Sequence, residues 1–106
     1  MISGDIKGLF IFGEDPVRTD PNTHHVIKSL ESLDFFAIDE LFMTETAKLA
    51  DVILPGRSYA EKEGTFSNTE RRVQRVRKAV EIEGDTKPDT WIFTEIMRRM
   101  AIHSLI

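Results

Sequence analysis

Three short apolar runs, each cut off by a turn-forming or charged residue, constrain this chain more than any other feature. Residues 9–12 (Leu-Phe-Ile-Phe) stop at Gly13, residues 35–38 (Phe-Phe-Ala-Ile) stop at Asp39-Glu40, and residues 51–55 carry Val52, Ile53 and Leu54 before Pro55 ends them. Apolar runs this short, bounded in this way, suit strands buried on both faces. Between the first two runs, a loop over residues 13–19 leads to Asp20-Pro21, which reads as an N-cap with proline in the first helical position. Val26, Ile27, Leu30 and Leu33 follow at helical spacing and give one apolar stripe. Between the second and third runs, Thr44 is placed to cap a short helix over residues 46–50. Strand–helix–strand–helix–strand at this spacing calls for crossover connections and therefore parallel strands.

The pattern loosens after the third run. Residues 64–68 and 71–76 read as short strands or irregular loop, and Glu83-Gly84-Asp85 and Pro88 mark turns. Asp89 or Thr90 is expected to cap a final helix with Ile92, Phe93, Ile96, Met97 and Met100 on one side. With 106 residues, 41% of them hydrophobic, the chain has the size and the apolar content of one domain with one modest core. The expectation is a single α/β domain over residues 1–106, a parallel sheet flanked by helices in a Rossmann-like or flavodoxin-like three-layer arrangement.

Charge and cysteine content narrow the function. Fourteen Lys and Arg against 18 Asp and Glu give a net charge of −4, which argues against broad nucleic-acid binding. No apolar run is long enough to span a bilayer, and residues 1–5 lack the basic and apolar regions of a signal peptide, so a cytoplasmic setting is expected. The chain has no cysteine, so it offers no thiolate for a cluster, a metal or a nucleophile.

In an open parallel sheet, ligands sit at the carboxyl ends of the strands. Three loops fall there: the first with Glu14, Asp15 and Thr19, the second with Asp39 and Glu40, the third with Gly56, Arg57 and Ser58. Two acidic clusters at neighbouring strand ends suit a ribose diol or the N–H edge of a guanine better than phosphates, because a carboxylate facing two N–H donors gains charge assistance and bidentate geometry. The carboxylates of Asp15 and Asp39 are expected to face one hollow. The plainer reading, acidic residues as solvated caps, stands at even odds beside it on position alone. Gly13 stands without the other glycines of a dinucleotide fingerprint, so ordinary NAD binding is not expected. The basic stretch over residues 70–78 is compatible with a cofactor pyrophosphate, another domain, or a solvated edge, the last favoured. Adjacent His24 and His25 diverge on a helix and suit no shared metal. No metal ligand set is expected.

Several phrases taken together resemble the molybdopterin oxidoreductase family, in particular the catalytic subunits of formate dehydrogenases. They are Lys-Gly-Leu-Phe-Ile-Phe-Gly-Glu-Asp-Pro (7–16), Phe-Met-Thr-Glu-Thr-Ala (42–47), Ala-Asp-Val-Ile-Leu-Pro (50–55), Glu-Lys-Glu-Gly-Thr-Phe-Ser-Asn-Thr-Glu-Arg-Arg-Val-Gln (61–74) and Lys-Pro-Asp (87–89). Their order and spacing hold from about residue 4 to residue 100.

The resemblance implies that this chain is a fragment of a central domain in an enzyme several times longer. The parent would carry molybdenum or tungsten between two molybdopterin guanine dinucleotides, with a [4Fe–4S] cluster elsewhere, and would oxidise formate to carbon dioxide with two electrons passed onward. By position, Gly13, Asp15 and Thr19 match the first guanosine-contacting loop and Asp39 and Glu40 the second, where such enzymes often have Gln-Asp. Gly56 stands at a cofactor-contacting position that is commonly a small hydroxyl residue. Asp89 matches a cofactor-contacting Asp, with Thr90 inserted before Trp91. No catalytic residue is expected in the chain, and alone it should be inactive. Its partners would be the remaining domains and an electron-transfer subunit. Two other readings remain: a stand-alone guanine-nucleotide module, and a docking module for an electron-transfer partner built on the stretch from Arg71 to Lys78.

Overall fold

The computed structural model describes residues 1–102; the last four positions of the expected 1–106 domain lie outside them. The chain divides into two compact units, Met1–Pro55 and a second from Gly56 onward. Each is described by itself.

The first unit is built on a three-stranded parallel sheet in the order β1-β2-β3, with β1 at Gly8–Phe12, β2 at Phe35–Glu40 and β3 at Val52–Pro55. Leu9 pairs with Phe36 and Ile11 with Ile38, while Ile38 pairs with Ile53 on the other side. Side chains alternate across a strand, so Leu9, Ile11, Phe36, Ile38 and Ile53 share one face. That face is the core. Phe36 and Ile38 pack with Val17, Leu30 and Ala47, and Val26, Ile27 and Leu33 close around them. Helix α2, Thr23–Glu31, supplies Leu30 and its stripe, as its 3.6-residue spacing foretold. The parallel α/β architecture is the one the apolar runs predict.

Some element ends differ from expectation, for local reasons. Pro16 opens a one-turn helix α1, Pro16–Thr19, where a loop is expected from the sequence; proline's fixed φ suits the first helical position. Helix α2 starts after Asn22, whose side chain accepts from the His25 N–H at 3.2 Å, so Asn22 and not Asp20 is its cap. Strand β2 runs on through Asp39 and Glu40, because Phe12 pairs with Asp39 and both acidic residues pair across to β3. The short helix after Thr44 is a 3-10 turn, Ala47–Leu49, and Thr44 Oγ1 accepts from Ala47 N–H as expected of a cap. Asp51 locks the sheet from its edge: its Oδ2 accepts from Phe36 N–H at 2.7 Å, and its own N–H donates to Phe36 O.

The second unit holds an antiparallel hairpin, β4 at Gly64–Ser67 and β5 at Val73–Val76, with Thr65 opposite Arg75 and Phe66 opposite Gln74. Asn68 forms its turn: its Oδ1 accepts from Arg72 N–H, and Arg71 sits at a φ of 63°. Ahead of the hairpin a 3-10 turn, Tyr59–Glu61, is closed by a reciprocal cap between Ser58 and Glu61. Helix α3, Asp89–Arg99, follows. Pro88 holds the cap position and Asp89 is the first helical residue, with no side-chain cap bond. Neither Asp89 nor Thr90 therefore caps it. Ile92 is its buried residue, while Phe93 and Met100 on the expected apolar side are exposed.

Candidate site at the strand ends

The carboxyl ends of β1, β2 and β3 form a rim where each chain segment leaves the sheet. At β1 the backbone turns sharply at Gly13, whose φ is 60° and whose N–H donates to Asp39 O at 2.9 Å. A Cβ added at Gly13 would meet nothing within 4 Å. The glycine serves the turn, and the space beside it is open.

Asp15 is partly buried and tightly held. Its Oδ1 accepts from Thr46 Oγ1 at 2.5 Å, and its backbone oxygen accepts from Arg18 N–H, Thr19 N–H and the Thr19 hydroxyl. Val17 and Ala47, the neighbours in this arrangement, belong to the core on the α2 face of the sheet. Asp15 therefore lies on that side of the strand ends.

Asp39 does not join it. The alternation that puts Ile38 into the core turns Asp39 to the opposite face with Ala37, and Asp39 is only 2% exposed. The expected hollow with Asp15 and Asp39 facing each other is thus corrected: β2 stays a strand through both acidic residues, so consecutive carboxylates diverge. Glu40, one residue further, returns to the side of Ile38 and hence of Asp15. Its Oε1 accepts from Leu41 N–H at 2.8 Å. The acidic pair sharing a side of the rim is Asp15 with Glu40. Beyond Glu40, Leu41, Phe42 and Met43 are exposed large apolar residues. Their place at a strand tip was visible in the sequence; their exposure was not.

Thr19 is exposed near the end of α1. Gly56 is buried at the start of the second unit. Asp89, also in that unit, accepts from Lys62 Nζ at 2.5 Å as a largely buried ion pair and lines an open hollow of about 320 Å³ with Lys62, Phe66 and Thr90. Its carboxylate already has a cation. In the basic stretch, Arg72 pairs with Glu70, Arg75 with Glu63 and Lys78 with Glu81, all with at least one partner well exposed. His24 and His25 are exposed on α2. Among the described residues, no group of three or more His, Cys, Asp or Glu could hold a metal ion, and no helix is long and apolar enough to cross a membrane.

The first unit is thus a parallel α/β sheet with acidic residues at its strand ends. The family model for molybdopterin oxidoreductases matches residues 1–99. The chain belongs to the molybdopterin oxidoreductase family. It is 55% identical over 95 residues to the F420-dependent formate dehydrogenase 2 subunit alpha of Methanococcus maripaludis, covering 90% of this chain and 14% of that protein. To the F420-dependent formate dehydrogenase subunit alpha of Methanocaldococcus jannaschii it is 54% identical over 97 residues, covering 92% of this chain and 14% of that protein. Among solved structures, acetylene hydratase from Pelobacter acetylenicus superposes with a TM-score of 0.81 at 28% identity, over 91% of this chain and 14% of that one. The chain thus spans a small fraction of the length of the relatives it matches.

Proposed function

We propose that this chain is the part of a formate dehydrogenase that holds the guanosine end of a molybdopterin guanine dinucleotide, one of two such arms around molybdenum or tungsten. The formate assignment draws on the similarity to the alpha subunits. The observation that carries the binding role is that Asp15 and Glu40 lie on one side of the strand ends, beside the open turn at Gly13.

The donor set fits the group. Guanine presents two N–H donors on one edge, and a ribose presents two hydroxyls. Asp15 and Glu40 each spend one oxygen on the protein, Oδ1 on Thr46 and Oε1 on Leu41 N–H, which leaves a second oxygen on each to accept from such donors. Gly13 lets a ligand approach the backbone because no side chain stands over it. Thr19 is a further expected contact in this unit, and Gly56, expected as a cofactor contact from the sequence, belongs to the second unit. Asp39 is assigned no direct contact, since it is buried on the face opposite Ile38, and Asp89 is assigned the ion pair with Lys62 first.

When bound, the pterin-held metal supplies the two-electron chemistry. The residues of this chain bind and orient; none is placed to move a proton or hydride. The chain alone should turn over no formate, and the metal with its cysteine or selenocysteine ligand, the [4Fe–4S] cluster, the remaining domains and an electron-transfer subunit belong to the longer enzyme.

The reading is tested in the full-length protein that carries this segment. Asp15→Ala and Glu40→Ala should each lower the guanine released per molecule on denaturation about tenfold or more under limiting cofactor, as expected for a lost charge-assisted contact. Unchanged guanine content in both variants removes the strand-end rim from the cofactor site.

A further inference from the structure

Two phrases of the sequence, 31 positions apart, meet at one buried hydroxyl. Thr46 is 0% exposed. Its Oγ1 donates to Oδ1 of Asp15 at 2.5 Å and accepts from the Val17 N–H at 3.1 Å. A hydroxyl has one proton to give and lone pairs to receive, and here both capacities are used, on the cap residue of α1 and on a residue of its single turn. Thr46 itself is fixed from behind. Thr44 Oγ1 accepts from Ala47 N–H, and Ala47 is a fully buried core residue packed with Phe36 and Ile38. The loop's own turn accounts for the rest of Asp15, whose backbone oxygen is held by Arg18 and Thr19.

We infer that Thr46 is a positioning residue for the guanosine site, an inference that rests on the reading above. It sets the rotamer of the Asp15 carboxylate and the entry into α1, so that the second carboxylate oxygen and the turn at Gly13 are ordered before a ligand arrives. A side chain free on a loop has to be ordered by the ligand and weakens its binding accordingly. The residue type matters in a particular way. Serine can make both bonds; valine has the shape of threonine and can make neither.

The test compares the chain with Thr46→Val and Thr46→Ser by amide hydrogen exchange and by titration with guanosine diphosphate followed in NMR spectra. Thr46→Val should speed exchange at the Val17 amide and weaken guanosine diphosphate, each about tenfold or more, with the far-UV spectrum retained. Thr46→Ser should bring both back to within about threefold of the original chain. Should Thr46→Val fail to fold, Thr46→Cys, whose thiol is only a weak donor and acceptor, carries the same expectation at smaller size. A lowered melting temperature with unaltered ligand affinity, or valine and serine behaving alike, overturns the inference. An original chain that ignores guanosine diphosphate overturns the guanosine reading instead, and Val17 exchange then still decides whether Thr46 sets the loop.

Discussion

Gly13 and Arg71 occupy the same kind of backbone position, with φ of 60° and 63°, and the side chains make them opposite cases. At Gly13 the turn out of β1 uses the conformational freedom that glycine has and other residues lack. Gly13→Ala meets no steric block, so its cost is that of left-handed backbone alone, about 1 kcal/mol, read as a drop in unfolding free energy in urea. Arg71 carries that strain natively at the hairpin turn. Arg71→Gly should relieve it and raise stability by about 0.5–1 kcal/mol, after glycine's larger unfolded-state entropy is set against the gain. A loss of stability would mean that the arginine side chain contributes contacts that outweigh its backbone strain. Residue-scale roles were the least legible part of the sequence. Asp15, Asp39 and Glu40 stand out as candidates because carboxylates at strand tips are visible in the order of residues. Which two share a side depended on β2 continuing past Ile38, and the charged residues that end an apolar run hid that. Thr46 left no sequence signal of its own, because a contact 31 positions away has no periodicity.

Among elements, those with strong apolar periodicity were legible and their ends were not. The parallel order β1-β2-β3 and the buried stripe of α2 follow from burial on one face, which the sequence writes at a period of two or 3.6. Caps are decided by single hydrogen bonds. Asp20-Pro21 reads as the start of α2, and the bond from His25 N–H to Asn22 moves the cap two residues on. Asn22→Ala should therefore cost about 1 kcal/mol and Asp20→Ala little, a contrast that thermal unfolding of the two variants measures. In α3, Glu95 is bonded by Arg98 through both Nε and Nη2, with Arg99 close by. The Arg98 hydrogen bond, aided by the charges of Arg98 and Arg99, holds the Glu95 carboxyl below its ordinary value of 4.5. A lowered folded-state value means that the pair's contribution is present above about pH 4.5 and lost as pH falls through the depressed value. Glu95→Gln should remove that acid-side dependence of helicity, and salt should weaken it in the original chain. A variant whose acid loss of helicity matches the original would show that the pair is idle.

At the scale of the molecule, the class was legible in the sequence, and the structure regroups the residues proposed as contacts. The same acidic loops that pointed to a guanosine pocket at the strand ends remain there, but the pair facing one side is Asp15 with Glu40, and Asp39 is inside. Gly56 and Asp89 fall in the second compact unit, and Asp89 is engaged by Lys62. Lys62→Met should destabilise that unit, since it leaves a largely buried carboxylate without its cation; the effect belongs to stability and should leave ligand response at the strand ends unchanged. The family assignment does not depend on any of these side chains, because it rests on a match over residues 1–99.

The central claim is that the strand-end rim of this chain recognises guanosine through Asp15 and Glu40. Its most direct test is a titration of the isotopically labelled chain with guanosine diphosphate, repeated with adenosine diphosphate. The account predicts weak binding, on the order of millimolar because much of the pocket's wall belongs to other polypeptide, with shifts centred on Gly13, Asp15 and Glu40 and a smaller response to the adenine nucleotide. Shifts centred elsewhere, or equal shifts from both nucleotides, would contradict it.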